Sequence, residues 1–254
     1  EQMQRFTDWT NLSEATFVLP PEHPQADYKL RIFCPGRELP FAGHPTLGSC
    51  HAWLQAGGVP RGEEVVQECG VGLVRLRRDA GRLAFAAPPR RRSGPLENEE
   101  LARIARGLGI ARADIVAHAW CDNGPGWRGV MLRSHEQVLA LKPDAGVLAG
   151  LFVGVAGPRG KVGVVAPRGD GDECAFEVRA FFPGHGGIAE DPVTGSLNAG
   201  LAQWLFGSGL ASQPYRVRQG TCVGADGRVY LSRVGDDVWV AGQVVPVIEG
   251  EIGL

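Results

Sequence analysis

Hydrophobic and polar positions alternate over short stretches along most of the chain, and this pattern predicts a protein rich in β-strands. The apolar runs are bounded mostly by Gly, Pro or Asp, as strands are. They occupy residues 15–19, 28–33, 64–69, 73–77, 82–86, 115–120, 129–133, 151–155, 161–166, 174–182, 215–219, 228–232 and 238–241. Helical spacing is less frequent and predicts helices at residues 1–9, 45–55, 96–107, 136–141 and 192–206. The expected fold class is α+β, with strands in the majority.

An internal repeat predicts that the chain consists of two similar halves. Residues 33–36 (FCPG) are echoed by residues 181–184 (FFPG), and residues 44–49 (HPTLGS) by residues 191–196 (DPVTGS). The offsets are 148 and 147 positions, in the same order along the chain. We therefore expect two copies of one α/β unit that face each other across a pseudo-twofold cleft.

A proline-rich segment marks the predicted boundary between these halves. Residues 88–95 (PPRRRSGP) can continue neither a helix nor a strand, and their arginines are expected to be solvated. The N-terminal half is predicted to span residues 1–90 and the C-terminal half residues 95–239. The tail, about residues 240–254, is a segment that could return to the N-terminal half.

The composition of the chain narrows the classes of molecule that it is expected to bind. The 254 residues carry 26 Lys and Arg against 28 Asp and Glu, a net charge of −2, which argues against nucleic acid or an anionic membrane as a partner. The longest uncharged apolar stretch, residues 145–157, is too short to span a bilayer. The 37 glycines, about twice the average frequency, show no Gly-X-Y period and indicate many turns and close backbone approaches.

The six cysteines are scattered, without a C-x-x-C pair, which suits reduced thiols in a cytoplasmic protein. Cys50 is expected to be a buried packing residue. The spacing of His, Cys and Asp predicts no metal site, and residues 170–173 (DGDE) are expected at an exposed hairpin tip. Residues 184–189 (GHGGIA) fit a dinucleotide-binding pattern, but the carboxylates of residues 190–192 (EDP) would repel a pyrophosphate there.

Each block of the second echo places an ionisable residue beside the predicted N-terminus of a helix. Proline is favoured in a first helical turn and keeps the preceding residue extended, so His44 and Asp191 should project from the helix ends. Two converging helix N-termini would bind an anionic group such as a carboxylate. A capping or core role for His44 and an ordinary N-cap role for Asp191 are the alternatives.

Glu14 is the third candidate, at the mouth of the otherwise apolar strand at residues 15–19. Partial desolvation at such a position makes a carboxylate a better general base near neutral pH. The alternative is a charge at a strand edge that serves solubility only.

Four segments of the chain resemble the characteristic segments of the phenazine-biosynthesis PhzF family, which is related to diaminopimelate epimerase and proline racemase. They are WTNLSEATFVLP at residues 9–20, ADYKLRIFCPGRELPFAGHPTLG at 26–48, VRAFFPGHGGIAEDPVTGSLNAGLAQWL at 178–205 and RQGTCVGADGRVYL at 218–231. The resemblance implies two similar domains, each a β-barrel-like mixed sheet around a central helix, with the active site in the interdomain cleft. It also implies a homodimer and a cofactor-independent isomerase.

The resemblance also assigns roles to particular residues. Family members move a proton between carbons of a small cyclic amino acid, and the resemblance implies that Glu14 takes and returns that proton. It implies that His44 and Asp191 are the other catalytic residues. The residues implied to bind the small carboxylated metabolite are Gly43, Gly195 and Ser196.

Departures from the family pattern keep two alternatives open. The family begins with a further strand and a Gly-Asn-Pro segment before its first helix, so the N-terminal half is expected to lack its first strand. The racemase and epimerase relatives use two opposed cysteines, and neither repeat block carries one, although Glu14 and Asp191 could act as a carboxylate pair. The alternatives are an amino-acid racemase or epimerase on the same fold and a catalytically silent metabolite-binding relative.

Overall fold

The structure, a computed structural model, describes residues 1–159, 174–184 and 187–253. Within these ranges the α-helices are α1 (Gln2–Thr10), α2 (Gly43–Gln55), α3 (Asn98–Leu108), α4 (His135–Ala140) and α5 (Gly195–Gly207). The strands are β1 (Ala15–Leu19), β2 (Tyr28–Cys34), β3 (Arg37–Leu39), β4 (Val65–Cys69), β5 (Gly72–Asp79), β6 (Arg82–Ala86), β7 (Ala117–Trp120), β8 (Trp127–Met131), β9 (Phe152–Pro158), β10 (Phe176–Gly184), β11 (Gly187–Asp191), β12 (Tyr215–Gln219), β13 (Gly227–Val234) and β14 (Asp237–Gly242). The α+β class with a majority of strands is confirmed.

The described strands form one mixed sheet that runs through both halves of the chain. Its order is β1-β2-β4-β5-β6-β14-β13-β12-β10-β9-β8-β7, with β3 paired to β2 and β11 to β10. Each half contains an antiparallel hairpin followed by a parallel pair, β2 with β4 and β10 with β12. Antiparallel pairing of β6 with β14, with Ala84 opposite Ala241, joins the halves. The boundaries proposed near residues 90 and 239 stay a prediction.

Each half of the sheet wraps around one central helix. Helix α2 packs against β1, β2 and β6, and α5 packs against β8, β13 and β14. Helix α5 is apolar on nearly all sides, and such a helix has to be buried. The main core runs through both halves and includes Leu30, Leu47, Phe85, Leu197, Trp204 and Val240. A second core lies between α3 and the strands β7 to β10.

The sequence predictions of elements are largely confirmed, but two strands were missed. The strands β3 and β11 were missed, since β3 is highly charged and β11 begins with Gly187 and ends in two acidic residues. The GHGGIA pattern thus ends in strand β11 and does not open a helix. The strand predicted at residues 161–166 and the hairpin tip predicted at residues 170–173 lie outside the described residues.

The first sequence echo, offset by 148 positions, is in register with the structure. Arg31 in β2 pairs with Glu38 in β3, and Arg179 in β10 pairs with Glu190 in β11, through the same atoms at 2.7–2.9 Å. The β10–β11 hairpin is four residues longer than the β2–β3 hairpin between these partners. Equivalent positions beyond it are therefore 152 apart, as Glu38 and Glu190 are.

The predicted offset of the second sequence echo, 147 positions, is wrong because the longer β10–β11 hairpin shifts the equivalent positions. Helices α2 and α5 have the same length and begin at Gly43 and Gly195. The prediction had them begin at Pro45 and Pro192. His44 and Ser196 are the second residues of their helices and are the equivalent pair. The similar segments HPTLGS and DPVTGS therefore do not occupy equivalent positions in the two halves.

Asp191 is consequently a feature of the C-terminal half alone. Residues 190–192 (EDP) correspond to residues 38–40 (ELP), so that Leu39 occupies the equivalent place in the N-terminal half. Asp191 ends strand β11 and lies four positions before α5. The duplicated scaffold therefore carries one acidic side chain that its other copy lacks.

Within the described residues, no helix combines the length and apolar character needed to cross a bilayer. Cys50 is fully buried in α2, which confirms its predicted packing role.

Candidate active site

The N-termini of the two central helices meet at a pair of glycines. A Cβ atom at Gly43 would lie 2.6 Å from the Cα atom of Gly195, and one at Gly195 would lie 2.6 Å from the Cα atom of Gly43. No side chain fits between backbones at that separation. The contact brings the partial positive charges of both helix N-termini to one place, which suits an anionic ligand group.

We expect Gly195→Ala to lower the free energy of unfolding by about 1–3 kcal/mol, because the added methyl group meets backbone that cannot move aside cheaply. Gly48→Ala is the matched control, since a Cβ atom at Gly48 in α2 has no heavy atom within 4 Å. Alanine there should be neutral or stabilising by about 0.5–1 kcal/mol. Urea unfolding of both variants measures the difference, and equal stabilities would contradict the tight contact.

Glu14 and His44 form an ion pair beside the glycine contact. Glu14 lies in the connection between α1 and β1, and His44 is the second residue of α2. The Nε2 atom of His44 lies 2.9 Å from Oε2 of Glu14, with the side chains 49% and 18% exposed. That carboxylate oxygen is buried and has no hydrogen-bond donor directed at it from any other described residue. It is thus held in place by one partner only.

The surroundings of His44 favour its charged form. Partial burial lowers the pKa of His44, whereas its contact with Glu14 raises it. The Asp191 carboxylate and a hydrogen bond to the backbone of Val193 act in the same direction as Glu14. Together they outweigh burial, and the pKa of His44 lies above its ordinary value of 6.5.

Asp191 has the opposite tendency, toward its neutral form. Burial raises the pKa of Asp191 above its ordinary value of 3.8, and the nearby Glu14 carboxylate adds to this effect. The hydroxyl of Thr194 donates to Oδ2 of Asp191 at 2.7 Å, which favours the carboxylate but does not cancel the effect of burial. Glu14, His44 and Asp191 are thus one electrostatically coupled group.

The raised pKa of His44 predicts how stability depends on pH. A group with a folded-state pKa above its unfolded value stabilises the fold fully below the unfolded value, and this contribution is lost as the pH rises through the folded value. We expect the wild-type protein to lose more stability between pH about 6 and about 8 than His44→Gln does. Urea unfolding at both pH values tests this, and equal losses would contradict the coupling.

Ser196 presents a hydroxyl group whose orientation is restricted. The indole Nε1 of Trp127 donates to Oγ of Ser196 at 3.0 Å, and the amide of Asn123 donates to the Ser196 carbonyl at 2.8 Å. Because an indole N–H can only donate, Ser196 Oγ is an acceptor in that contact. Its own proton is therefore directed elsewhere, which suits donation to a ligand carboxylate.

Sequence comparisons place this site in a known family. The family described as "Phenazine biosynthesis-like protein", PhzC-PhzF, matches residues 1–250. The chain belongs to this family.

Individual relatives agree with this assignment. "Antisense-enhancing sequence 1" of Schizosaccharomyces pombe is 34% identical, over 99% of this chain and 88% of the relative. "Trans-2,3-dihydro-3-hydroxyanthranilate isomerase" of Pseudomonas fluorescens is 30% identical, over 92% of this chain and 80% of the relative. The crystal structure of the Bacillus anthracis PhzF-family protein superposes with a TM-score of 0.74 at 20% identity, over 100% of this chain and 89% of that one. The chain is thus an isomerase of the PhzF type, and its fold is the expected one of two similar domains.

In this PhzF-family chain the structure brings together the residues that the sequence singled out. Glu14, His44 and Asp191 interact electrostatically, while Gly43 and Gly195 are in contact. Ser196, the residue after Gly195, is the second residue of α5. Whether these residues act in catalysis and binding stays a prediction. Among the described residues, no group of three or more His, Cys, Asp and Glu side chains is arranged to hold a metal ion.

Four polar residues of the site were not found from the sequence. They are Asn123, Thr194, Asn198 and Gln219, all buried and hydrogen-bonded around the start of α5. At the correct offset of 152 positions Gln219 aligns with Gln67. This repeated glutamine would have identified Gln219 as a candidate.

A cavity of about 530 Å³ opens beside His44. Its walls include Gly43 and Gly195, parts of β13 and β14, and residues 243–245. Glu14, Asp191 and Ser196 do not line it. The volume suits a small metabolite. Because His44 is the one candidate catalytic residue among the described residues of its walls, we regard the cavity as adjoining the site.

Proposed function

We propose that this chain catalyses the transfer of a proton between two carbons of a small cyclic amino carboxylic acid, with Glu14 as the general base. The observation that carries the proposal is the Glu14–His44 ion pair next to the contact between two helix N-termini. A base and a site for an anionic group are thereby combined within one cleft. The membership of the chain in the PhzF family supports the same reaction class.

The proposed reaction has two proton transfers. The Glu14 carboxylate removes a proton from one carbon, and the electrons of the broken C–H bond form a new double bond to the neighbouring carbon. The electrons of the existing double bond move to the carbon at its far end, which then takes a proton from Glu14. Because one proton is removed and one is returned, the product is an isomer of the substrate and no oxidant or reductant is needed. In heavy water the proton held by Glu14 exchanges with solvent before the second transfer, so the returned hydrogen is a deuteron. His44 holds the Glu14 carboxylate in position before the first transfer, with its Nε2 atom 2.9 Å from Oε2 of Glu14.

The remaining polar groups account for the proposed substrate class. The hydroxyl of Ser196 and the helix N-termini would hold the substrate carboxylate, and His44 and Asp191 would orient its amino and hydroxyl groups. The Pseudomonas fluorescens relative is named for trans-2,3-dihydro-3-hydroxyanthranilate, which carries these three groups. We therefore propose a substrate of this chemistry.

The experiment is incubation of the protein with trans-2,3-dihydro-3-hydroxyanthranilate in heavy water. We expect an isomeric product with one deuterium on carbon, detected by mass spectrometry and NMR. Thermal stabilisation by this compound with neither turnover nor deuterium incorporation would contradict the proposal and favour a silent binding protein. Inversion of an amino-acid stereocentre without migration of a double bond would instead support the racemase alternative.

A further inference from the structure

Gln219 makes four hydrogen bonds at the end of β12, and its side chain is fully buried. Its Oε1 atom accepts from the backbone N–H of Thr194 at 3.1 Å and from the amide of Asn198 at 2.8 Å. Its Nε2 atom donates to the backbone carbonyl of Asp191 at 2.9 Å and to the hydroxyl oxygen of Thr194 at 2.8 Å. The amide group therefore has all of its hydrogen-bonding capacity in use.

The orientation of the Gln219 amide is fixed by the backbone. A peptide N–H can only donate and a peptide carbonyl can only accept, so the atom facing the N–H of Thr194 has to be the oxygen. The atom facing the carbonyl of Asp191 has to be the nitrogen for the same reason. A rotated amide would place like groups against each other in a buried setting, which is costly.

This orientation determines the direction of the Thr194 hydroxyl. Its oxygen accepts a proton from Gln219, so its own proton has to point to another acceptor. That acceptor is Oδ2 of Asp191, at 2.7 Å. The hydrogen bonds thus run in one direction, from Asn198 through Gln219 and Thr194 to the carboxylate.

We propose that Gln219 is a positioning residue that, through Thr194, commits Oδ2 of Asp191 to accepting a hydrogen bond and leaves Oδ1 as the oxygen that faces and orients the substrate. Oδ2 already accepts a hydrogen bond from Thr194. It cannot donate one to Thr194 unless the Thr194 hydroxyl reverses its direction and loses the hydrogen bond from Gln219. A carbonyl oxygen accepts a hydrogen bond better than a hydroxyl oxygen does, so the Thr194 donor favours placing the proton of neutral Asp191 on Oδ1. The role of Asp191 toward substrate rests on the proposed function, but the directed hydrogen bonds do not.

The N-terminal half contains a related arrangement without an acidic end. Gln67, the equivalent of Gln219, donates to the hydroxyl of Thr46 at 3.1 Å and accepts from that of Tyr28 at 2.9 Å. Leu39 stands where Asp191 would be. A buried glutamine thus ties a strand to the central helix in both halves, and in the C-terminal copy its threonine partner donates to a carboxylate.

Other groups also act on Asp191 and have to be held constant in a test. His44 on α2 and Glu14 before β1 are the charged side chains among the described residues that act on it, and the backbone of Val193 donates a hydrogen bond to it. The variants that test the proposal should therefore leave these three residues unchanged.

The test is the pKa of Asp191 measured by carbon-13 NMR of labelled aspartate carboxyl groups, with Asp191→Asn for assignment. Thr194→Val removes the donor and should raise the pKa of Asp191 by about 1–2 units, whereas Thr194→Ser should restore it. Gln219→Glu, which draws the Thr194 proton away, should raise it by a similar amount. Gln67→Glu, the matched control, should leave it unchanged.

A double variant separates hydrogen bonding from simple charge repulsion by Glu at position 219. If Gln219 acts through Thr194, adding Gln219→Glu to Thr194→Val raises the pKa of Asp191 by much less than Gln219→Glu does alone. Full additivity, or an unchanged pKa in Thr194→Val, overturns the proposal. The titration needs no substrate, so it remains valid if the proposed isomerase activity is not found. If the isomerase activity is found, the acidic limb of the pH profile of kcat/KM should shift to higher pH in the variants that raise the pKa of Asp191.

Discussion

Replacing Glu14 with glutamine is expected to reduce deuterium incorporation from heavy water by about a hundredfold to ten-thousandfold, the usual contribution of a general base. Glutamine has nearly the same shape as glutamate but cannot accept the substrate proton. It also removes the negative charge that raises the pKa of His44, so His44 should titrate at lower pH in this variant. The rate is measured by NMR at saturating substrate.

The matched control for this variant is Glu100→Gln. Glu100 on α3 is 20% exposed, close to the 18% of Glu14, and accepts a hydrogen bond from Arg128 at 2.6 Å, outside the candidate site. It should retain wild-type exchange. If Glu14→Gln keeps exchange within tenfold of wild type, while its fold is intact by circular dichroism, Glu14 is not the base.

The second large effect is expected in stability, at Arg179. This side chain pairs with both carboxylate oxygens of Glu190 and donates to the carbonyls of Val138 and Leu141 at the end of α4. Arg179→Met leaves Glu190, which is only 12% exposed, without its counter-charge. We expect a loss of about 3–5 kcal/mol in the free energy of unfolding, measured with urea. Adding Glu190→Gln should recover part of it.

The equivalent ion pair in the N-terminal half provides the control for Arg179. Arg31 pairs with Glu38 through the same atoms, and its guanidinium lies 5.0 Å from the ring of Phe33, as that of Arg179 lies 4.9 Å from the ring of Phe181. This pair is 38% and 45% exposed, so Arg31→Met should cost less than about 1 kcal/mol. Similar losses in both variants would show that burial does not determine the contribution of this ion pair.

The Arg179–Glu190 pair also affects the site, because Glu190 immediately precedes Asp191. Alternate residues of a strand point to opposite faces, so a carboxylate fixed on one face of β11 fixes the direction of the next side chain. A reduced exchange rate in Arg179→Met would be consistent with this arrangement.

The sequence alone predicted the fold class, the duplication and most strands and helices, because hydrophobic periodicity and turn residues are local signals. The repeat blocks and the strand pattern singled out His44, Asp191 and Glu14, the family resemblance implied their catalytic roles, and the structure brings the three together. Local patterns could not predict the register between the halves. The β10–β11 hairpin is four residues longer than its counterpart, and the likeness of residues 44–49 to 191–196 masked the true offset.

The polar network around Asp191 was beyond sequence reasoning for a different reason. Thr194 and Gln219 are 25 positions apart and meet only because β12 pairs in parallel with β10. Neither residue type is distinctive on its own, since buried Thr and Gln occur in many cores. Their role follows from the direction of hydrogen bonds, which only the folded arrangement determines.

The pairing of β6 with β14 has a consequence for how the protein forms during synthesis. Every residue pair in this ladder is separated by more than 150 positions, so this edge of β6 stays unpaired until β14 has been translated. Such long-range closure slows folding and prolongs the exposure of unpaired strand edges. Glu14 and His44 emerge early from the ribosome, but the residues opposite them arrive only with the C-terminal half. The site is therefore assembled late, and a nascent chain that stops before residue 237 lacks the strand that joins its two halves.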